Sequence, residues 1–367
     1  MTNNSWQKIK LENIVENLDN KRIPVAREKR KKGTIPYYGA TGIVDYVEDY
    51  IFDEELLLVG EDGADWSPFA NTSYIIRGKS WINNHAHVLR VVKANIGFLM
   101  EFLNYSDLTL HTSGTTRGKL NKSNLMNIQI PLPDRVTQDK IYLLLASLND
   151  QITKTDEIIQ KTGNLKRGLM ENILSFEDKV NVEHLALGDI GKVSMCKRIF
   201  KKETLDIGDI PFYKIGTFGK EPDSFISQEL YDSYRNKFPF PKTGDVLLSA
   251  SGTIGRKVKY DGRPAYFQDS NIVWLEHDES KILNNFLFYL YDRIRWQTEG
   301  STIKRLYNDI LLKKIVPVPP INKQRQILEI LMTIDQKISV TRKSKGRFIL
   351  FKNGLMQDIF SQKIKIN

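Results

Sequence analysis

The chain has 367 residues, 41% of them hydrophobic and 27% charged, which suits two or three domains with genuine buried cores. A mean hydropathy of −0.37 and the lack of any run near ~18 apolar residues exclude a helical membrane protein, while the single cysteine, Cys196, excludes an internal disulfide and a cysteine-built zinc cage. The net charge of +10 and pI near 9.3 favour a polyanionic partner, nucleic acid being the commonest soluble one.

The opening Met1-Thr2-Asn3-Asn4-Ser5-Trp6 lacks the charged-then-apolar layout of a signal peptide, so the reducing cytoplasm is the expected home. The basic run Arg27-Glu28-Lys29-Arg30-Lys31-Lys32 reads as a solvated loop, and in a DNA reader as one able to ride the phosphate backbone. Leu56-Leu57-Leu58-Val59 is a strand-like run ending at glycine, followed by strand-like Tyr74-Ile75-Ile76 and Val88 to Val92, and then a helix at Ile96 to Asn104. Glu61, Asp62 and Asp65 cluster near the Gly63 turn and read as ordinary turn acids. Gly78-Lys79-Ser80 nearly completes a phosphate-cradling loop, but its first glycine would fall at Ser73 inside a strand, so that motif is rejected. His85 and His87, with His111, suggest a metal pair; two strand histidines facing one side is the plainer account.

Thr112-Ser113-Gly114-Thr115-Thr116-Arg117-Gly118-Lys119 then gathers hydroxyls, flexible glycines and cations. Glycine lets backbone N–H groups approach a phosphate, hydroxyls donate to its oxygens, and Arg117 and Lys119 neutralise it. After Pro131-Leu132-Pro133, apolar residues recur at helical spacing: Ile141, Leu144, Leu145, Leu148, Ile152, Ile158, Ile159, Leu165, Leu169 and Ile173. Proline just before the start suits a helix entry, and at ~1.5 Å per residue the rod would be roughly 55–60 Å long. Gly163 is expected to weaken its middle.

The chain then repeats itself. GLMENILS at Gly168 to Ser175 returns as GLMQDIFS at Gly354 to Ser361, an offset of 186 residues. Without a gap, that offset also pairs Thr112 with Thr298, Gly114 with Gly300, Leu120 with Leu306, Leu125 with Leu311, Pro131 with Pro317 and Gln138 with Gln324. Such register is duplication, not chance. Upstream the copies correspond loosely: Leu11 to Ile14 with Leu187 to Ile190, Ile35-Pro36-Tyr37-Tyr38 with Ile210-Pro211-Phe212-Tyr213, and the strand ending at Gly60 with Val246 to Ser249 before Gly252. The second front adds strand-like Ile272 to Leu275 and a helix at Asn284 to Tyr291. Its Ser249-Ala250-Ser251-Gly252-Thr253-Ile254-Gly255-Arg256-Lys257 segment repeats the phosphate-handling vocabulary. So does Thr298-Glu299-Gly300-Ser301-Thr302-Ile303-Lys304-Arg305, counterpart of the 112–119 segment. A second stripe runs Ile327, Ile330, Leu331, Ile334, Ile338, Phe348, Leu355, Ile359, with Gly346 in its middle.

The expected architecture is mixed α/β: fronts at 1–133 and 176–319, long helices at 134–175 and 320–367. A solitary helix of this length would leave its stripe in water, so the two are expected to pair antiparallel as a coiled coil in a pseudo-twofold molecule. Amides read adenine and arginine reads guanine, which makes Asn83, Asn84, Gln268, Asn271 and Arg256 candidate base readers. Catalytic vocabulary is missing: the one Pro-Pro pair, Pro319-Pro320, follows Val318 and lacks the Asn/Asp-Pro-Pro-aromatic tetrad of an adenine methyltransferase.

These features together resemble a known family. IPYYGATG at Ile35 to Gly42, LLLVGEDGA at Leu56 to Ala64, GTTRGKLNKSNL at Gly114 to Leu125, IPLP and VPVPP before the helices, QRQILEIL at Gln324 to Leu331 and the paired GLM endings resemble the specificity (S) subunit of type I restriction–modification enzymes, over essentially the whole length. The resemblance implies two target-recognition domains, each reading half of a split asymmetric site on double-stranded DNA. It implies helices that space the half-sites and dock two modification (M) subunits. S-adenosylmethionine and adenine methylation would belong to M, and ATP-driven translocation and cleavage to restriction (R) subunits, so this chain is expected to carry no catalytic residue, metal or cofactor. The seam departs from a purely apolar stripe at Thr155, Thr162, Lys345 and Lys352. A specificity subunit of a methylation-only complex is the near alternative. A free-standing DNA-binding regulator is disfavoured because a palindromic operator needs equal arms, and a third reading is an enzyme with a site in one front.

Overall fold

The computed structural model describes residues 6–114, 118–173, 182–296, 306–364 and 366. The chain forms two compact units, Met1–Ile159 with Val340–Asn367, and Gln160–Ser339.

In the first unit the strands are β1 (Gln7–Lys10), β2 (Val15–Asn17), β3 (Lys32–Gly39), β4 (Gly42–Val47), β5 (Phe52–Asp53), β6 (Leu56–Gly60), β7 (Ser73–Ile76), β8 (Lys79–Ile82) and β9 (Ala86–Val91). Helices α1 (Ile96–Tyr105) and α2 (Lys122–Met126), strand β10 (Gln129–Leu132) and helix α3 (Arg135–Ile173) follow. The central antiparallel sheet has the order β2-β9-β6-β7, and a second sheet the order β4-β3-β8-β5 with β3 and β8 parallel. All five residues of β6 are buried, because both faces of the sheet are covered, which is why it reads as a continuous apolar run. Alternation divides them. Leu57 and Val59 join the core of Phe98, Leu99 and Leu103 from α1, while Leu56 and Leu58 face the cluster of Leu18, Phe52, Ile82 and Val88.

The second unit repeats this plan. Its elements are β11 (Glu183–Ala186), α4 (Leu187–Ile190), β12 (Lys192–Ser194), β13 (Ile210–Tyr213), β14 (Phe225–Ile226), α5 (Gln228–Lys237), β15 (Val246–Ser249) and β16 (Lys257–Lys259). They continue with β17 (Tyr266–Phe267), β18 (Ile272–Glu276), α6 (Asn284–Leu290), α7 (Asn308–Leu312), β19 (Ile315–Val318) and α8 (Ile321–Phe360). The central sheet β12-β18-β15-β16 matches that of the first unit, and β14-β13-β17 again contains one parallel pair. A two-stranded clamp closes each front onto its long helix. Ile9 pairs with Ile130 in one, and Leu185 with Val316 in the other.

Helix α1 begins where Asn95 accepts the Phe98 N–H and ends at Tyr105, one residue past the expected Asn104, and α6 stops at Leu290, one short of the expected Tyr291. The long helices run 39 and 40 residues without a break at Gly163 or Gly346. A mid-helix glycine costs about 1 kcal/mol, and the packed residues on either side outweigh it. Ile141 and Leu145 of α3 and Met356, Ile359 and Phe360 of α8 all enter the first core, with the Phe360 ring 5.3 Å from Phe102 and 5.7 Å from Phe98. In the second core Met170 meets Leu328 and Leu331. The helices therefore both pair and pack on the fronts. Within the first unit, Asp156 bonds Lys345 at 2.7 Å, and Asn149 and Lys352 converge on Glu101, so partner numbers rise as helix numbers fall: the segments run antiparallel. In the second, Lys166 bonds Asp335 at 2.6 Å. The polar seam is thereby accounted for, with Lys345 and Lys352 in ion pairs, Thr155 donating to its own helix at the Gln151 carbonyl, and Thr162 half-buried. Among the described residues no helix is long and apolar enough to cross a membrane.

Candidate nucleic-acid interface

Residues 118–120 land on the end of β6, far away in sequence. Ser113 and Lys119 exchange two backbone hydrogen bonds of 2.9 Å, and Gly114 takes a φ of +99°. Thr112 Oγ1 donates to the Thr109 carbonyl, and Ser113 Oγ accepts from Asn121 at 2.7 Å. Asp62 bridges Lys119 in antiparallel fashion, and Leu120 N–H donates to the Glu61 carbonyl at 2.9 Å. Gly118 lies against the Trp66 ring, where a Cβ would come within 3.0 Å of it. Thr115 and Arg117 lie outside the described residues, as do Ser301, Lys304 and Arg305 of the second repeat.

Beneath these residues lies a charged network. Glu61 holds Arg22 at 2.5 Å and Lys119 at 2.9 Å. Asp19 accepts the Val88 N–H at 2.8 Å and sits 2.6 Å from His87 Nδ1, while His87 Nε2 faces the Leu120 carbonyl at 2.7 Å. Burial pushes the Asp19 and Glu61 carboxyls up, but His87 in one case, and Arg22 with Lys119 in the other, outweigh it and leave both below their ordinary values. Glu61 in turn holds the Lys119 ammonium above the usual lysine value.

Glu61 is thus no idle turn acid. Asp65 is one, capping Ser67 at 2.9 Å, and Asp62 instead holds His85 at 2.5 Å. The three histidines are not brought together: His87 lies in β9, His85 precedes it, and the His111 carbonyl accepts from Asn124. Ligand atoms of Asp19, Glu61 and His87 do lie within 4.8 Å of one another, yet the Arg22 guanidinium already supplies the positive charge there.

Because both carboxyls titrate lower in the fold than the ~4 of an unfolded chain, their stabilisation is complete above about pH 4 and is lost as pH falls through the folded values. Amide exchange at 118–120 is expected to accelerate below about pH 4, and Glu61→Gln to flatten that acid response. Identical acid profiles for the two proteins would rule the anchor out.

In the second unit the corresponding turn follows β15. Ser249 N–H donates to the Arg256 carbonyl at 2.7 Å, and Gly252 and Gly255 take φ of +63° and +84°. The Ser249 hydroxyl, buried, donates to the Thr253 carbonyl, and Ser251 donates to Asn271 at 2.7 Å. Arg256 reaches the Phe218 carbonyl at 3.0 Å and Thr253 Oγ1 at 3.2 Å. Lys257 bonds Asp292 at 2.8 Å and the Phe288 carbonyl, with its ammonium 3.9 Å above the Phe288 ring centroid; burial pushes it below the usual lysine value despite Asp292. Leu306 N–H donates to the Ala250 carbonyl at 2.8 Å, the counterpart of the Leu120 bond to Glu61.

Of the candidate base readers, Asn83 is buried and accepts the His85 N–H, Gln268 accepts the Ile215 N–H at 2.9 Å, and Asn271 is taken by Ser251. Asn84 is exposed.

Each front also carries a groove that spacing did not reveal. In the first, Lys29, Arg30, Lys31, Val25, Val47 and Trp81, with the carboxylates Glu48 and Asp49, line a concavity of about 580 Å³. Arg30 is fixed by Asp45 at 3.0 Å and stacks 4.4 Å over Tyr37, so the basic run is half structured rather than a free loop. Tyr46, Ile43 and Val44 of the neighbouring β4 are exposed. In the second, Tyr213, Lys220, Lys259, Arg263 and Phe267 are among the residues around about 370 Å³. Cations interleaved with aromatic faces suit a polyanion with stacked rings. The available signal was the exposed apolar residues of β4, which a self-contained strand would have kept polar.

Known proteins bear on these surfaces. The family model described as the type I restriction modification DNA specificity domain matches twice, at residues 3–161 and 179–346. A putative type I restriction enzyme specificity subunit of Haemophilus influenzae is 43% identical over 329 residues, covering 88% of this chain and 85% of that protein. A type I restriction enzyme specificity subunit of Methanocaldococcus jannaschii is 24% identical over 410 residues, covering 98% and 93%. Among solved structures, the S subunit of a type I restriction–modification system from M. genitalium superposes with a TM-score of 0.67 at 15% identity, covering 100% of this chain and 98% of that one. A chain from a study of complex assembly in the type I system gives 0.57 at 15%, covering 97% of each.

Proposed function

The chain belongs to the type I restriction–modification DNA specificity family, and from that premise we propose that it reads a split, asymmetric target on double-stranded DNA, one half per front. It directs the methyltransferase subunits, and restriction subunits where present, to that target and supplies no chemistry itself. The observation that carries the reading is a repeated scaffold under unlike surfaces. Leu120 to Glu61 and Leu306 to Ala250 are the same backbone bond, while the side chains around them differ. Equal scaffolds with different side chains suit two sensors of different sequence.

Phosphate contact is assigned to the segments holding Thr112, Ser113, Gly114, Thr115, Arg117 and Lys119 in one front and Ser301, Lys304 and Arg305 in the other. Thr253 and Arg256 join them at the second turn, and Ser249, Ser251 and Lys257 shape that turn from within. The grooves of Lys29, Lys31 and Trp81, and of Lys220 and Arg263, extend each contact. The long helices act as the spacer between half-sites.

Two equivalent docking faces for two copies of one methyltransferase subunit are supported by exposed apolar residues that recur at the repeat offset. Leu144 (39% exposed) matches Ile330 (45%), and Leu165 (57%) matches Phe351 (60%). Water-facing apolar residues kept in both copies suit a partner.

Replacing residues 1–133 by the matching segment of a relative with a different methylated sequence tests the reading. Genome-wide mapping of methylated adenines is expected to show one half-site replaced and the other unchanged. Replacement of both halves would refute it.

A further inference from the structure

Each unit contains an ionic cluster where a front meets two long helices, buried in the first unit and partly exposed in the second. In the first, Glu101 of α1 is fully buried; its carboxylate accepts from Asn149 of α3 at 2.6 Å and lies 2.9 Å from Lys352 of α8. In the second, Tyr289 of α6 donates to Asp335 of α8 at 2.6 Å, and Asp335 also holds Lys166 of α3 at 2.6 Å, the ammonium lying 4.9 Å over the Tyr289 ring. These are the same three places. Asn149 and Asp335, and Lys166 and Lys352, stand at the repeat offset of 186 residues. Glu101 and Tyr289 are equivalent because the residues six before them, Asn95 and Leu283, give their N–H to the equivalent Gln138 and Gln324.

What the copies keep is charge balance, not residue identity. Each has one lysine from the other repeat's helix, one acid and one neutral hydrogen-bonding partner. The acid sits on the front in one copy and on the front's own helix in the other. An ammonium drawn partly out of water needs an anion within reach, so either place serves.

We propose that Glu101, with Asn149 and Lys352, and Tyr289, with Asp335 and Lys166, are positioning residues that fix each recognition front on the helix pair and so make the complex selective for one spacer length. The clusters take no part in reading bases, since they lie among the helices rather than at the loops or grooves. The spacer clause rests on the split-target reading above.

Three chains test this: the wild type, Glu101→Gln, and the double variant Glu101→Gln with Asn149→Asp, which moves the acid to the place the second repeat uses. Amide exchange over Ile96–Tyr105 is expected to quicken at least about tenfold in Glu101→Gln, as loss of hydrogen bonds to a charged group implies. It should return to near the wild-type rate in the double variant, with exchange over Asn284–Leu290 unchanged throughout. Each chain is then co-expressed with its methyltransferase subunits on a random-sequence plasmid library. Glu101→Gln is expected to keep both half-site sequences while its preference for the native spacer over one base pair more or less falls by roughly tenfold. The double variant should restore that preference.

Unchanged exchange and unchanged spacer preference in Glu101→Gln would overturn the proposal, as would a double variant no better than the single one. The exchange arm needs no DNA. A wild type that methylates no split target would therefore end the functional reading, while exchange and rescue still judge the cluster.

Discussion

Leu165→Asp combined with Phe351→Asp is expected to abolish capture of methyltransferase subunits, and each substitution alone to lower the number captured from two to one. Both positions are exposed, so neither change empties a core, and the chain's own stability is expected to move by no more than about 0.5 kcal/mol each. In an interface the carboxylate would be desolvated without a partner, costing several kcal/mol. Each ~1.4 kcal/mol is tenfold in affinity, so a loss on the order of a hundredfold or more per face is expected. Native mass spectrometry of the co-expressed complex counts the subunits. Two methyltransferase subunits retained by the double variant would move the docking faces elsewhere, and loss of both from one single variant would deny that the faces act separately.

The second large effect concerns the helix entries. Gln324, wholly buried, gives its amide hydrogens to the Pro319 and Lys281 carbonyls, both at 2.8 Å, and accepts the Leu283 N–H at 2.8 Å. It therefore joins the strand leaving β19, the segment before α6 and the first turn of α8. Gln324→Leu keeps most of the volume but strands two carbonyls and one N–H away from water. At about 1–3 kcal/mol for each unmet buried group, partly relieved by relaxation, a loss of roughly 3–5 kcal/mol is expected. Gln138, its counterpart, serves the Pro133 carbonyl and the Asn95 N–H, so Gln138→Leu should cost less, roughly 2–4 kcal/mol. Urea unfolding followed by hydrogen exchange in each unit measures both. The reverse ranking, or losses under about 1 kcal/mol, would show that water replaces the amide.

The two glutamines also illustrate how far linear reading reaches. Their match at the repeat offset was plain, as were the apolar stripes of the helices and the glycine turns at Gly63 and Gly252, both left-handed with φ of +69° and +63°. Their work was not. A glutamine in the first turn of a helix looks like a surface residue, and only a front folded back onto the entry makes it a three-way clasp. The candidate base readers show the opposite shift. Asn83 has suitable chemistry but accepts the nearby His85 N–H, while Gln268 and Asn271 each accept a hydrogen bond from a residue distant in the chain.

By itself the sequence determined the duplication, the mixed α/β fronts, the two long helices and the family, while their continuity through Gly163 and Gly346 was decided by packing. Those follow from periodicity, turn chemistry and repeated register, which are written among near neighbours. Tertiary structure alone decided that Lys119 is tied to Glu61 beside a buried His87, that Arg30 and Trp81 border one groove, and that Lys352 reaches Glu101 while Lys166 reaches Asp335. Those pairs join residues distant in the chain. What selects them is the cost of leaving a buried charge or N–H without a partner, and that cost exists only once the cores have closed around them.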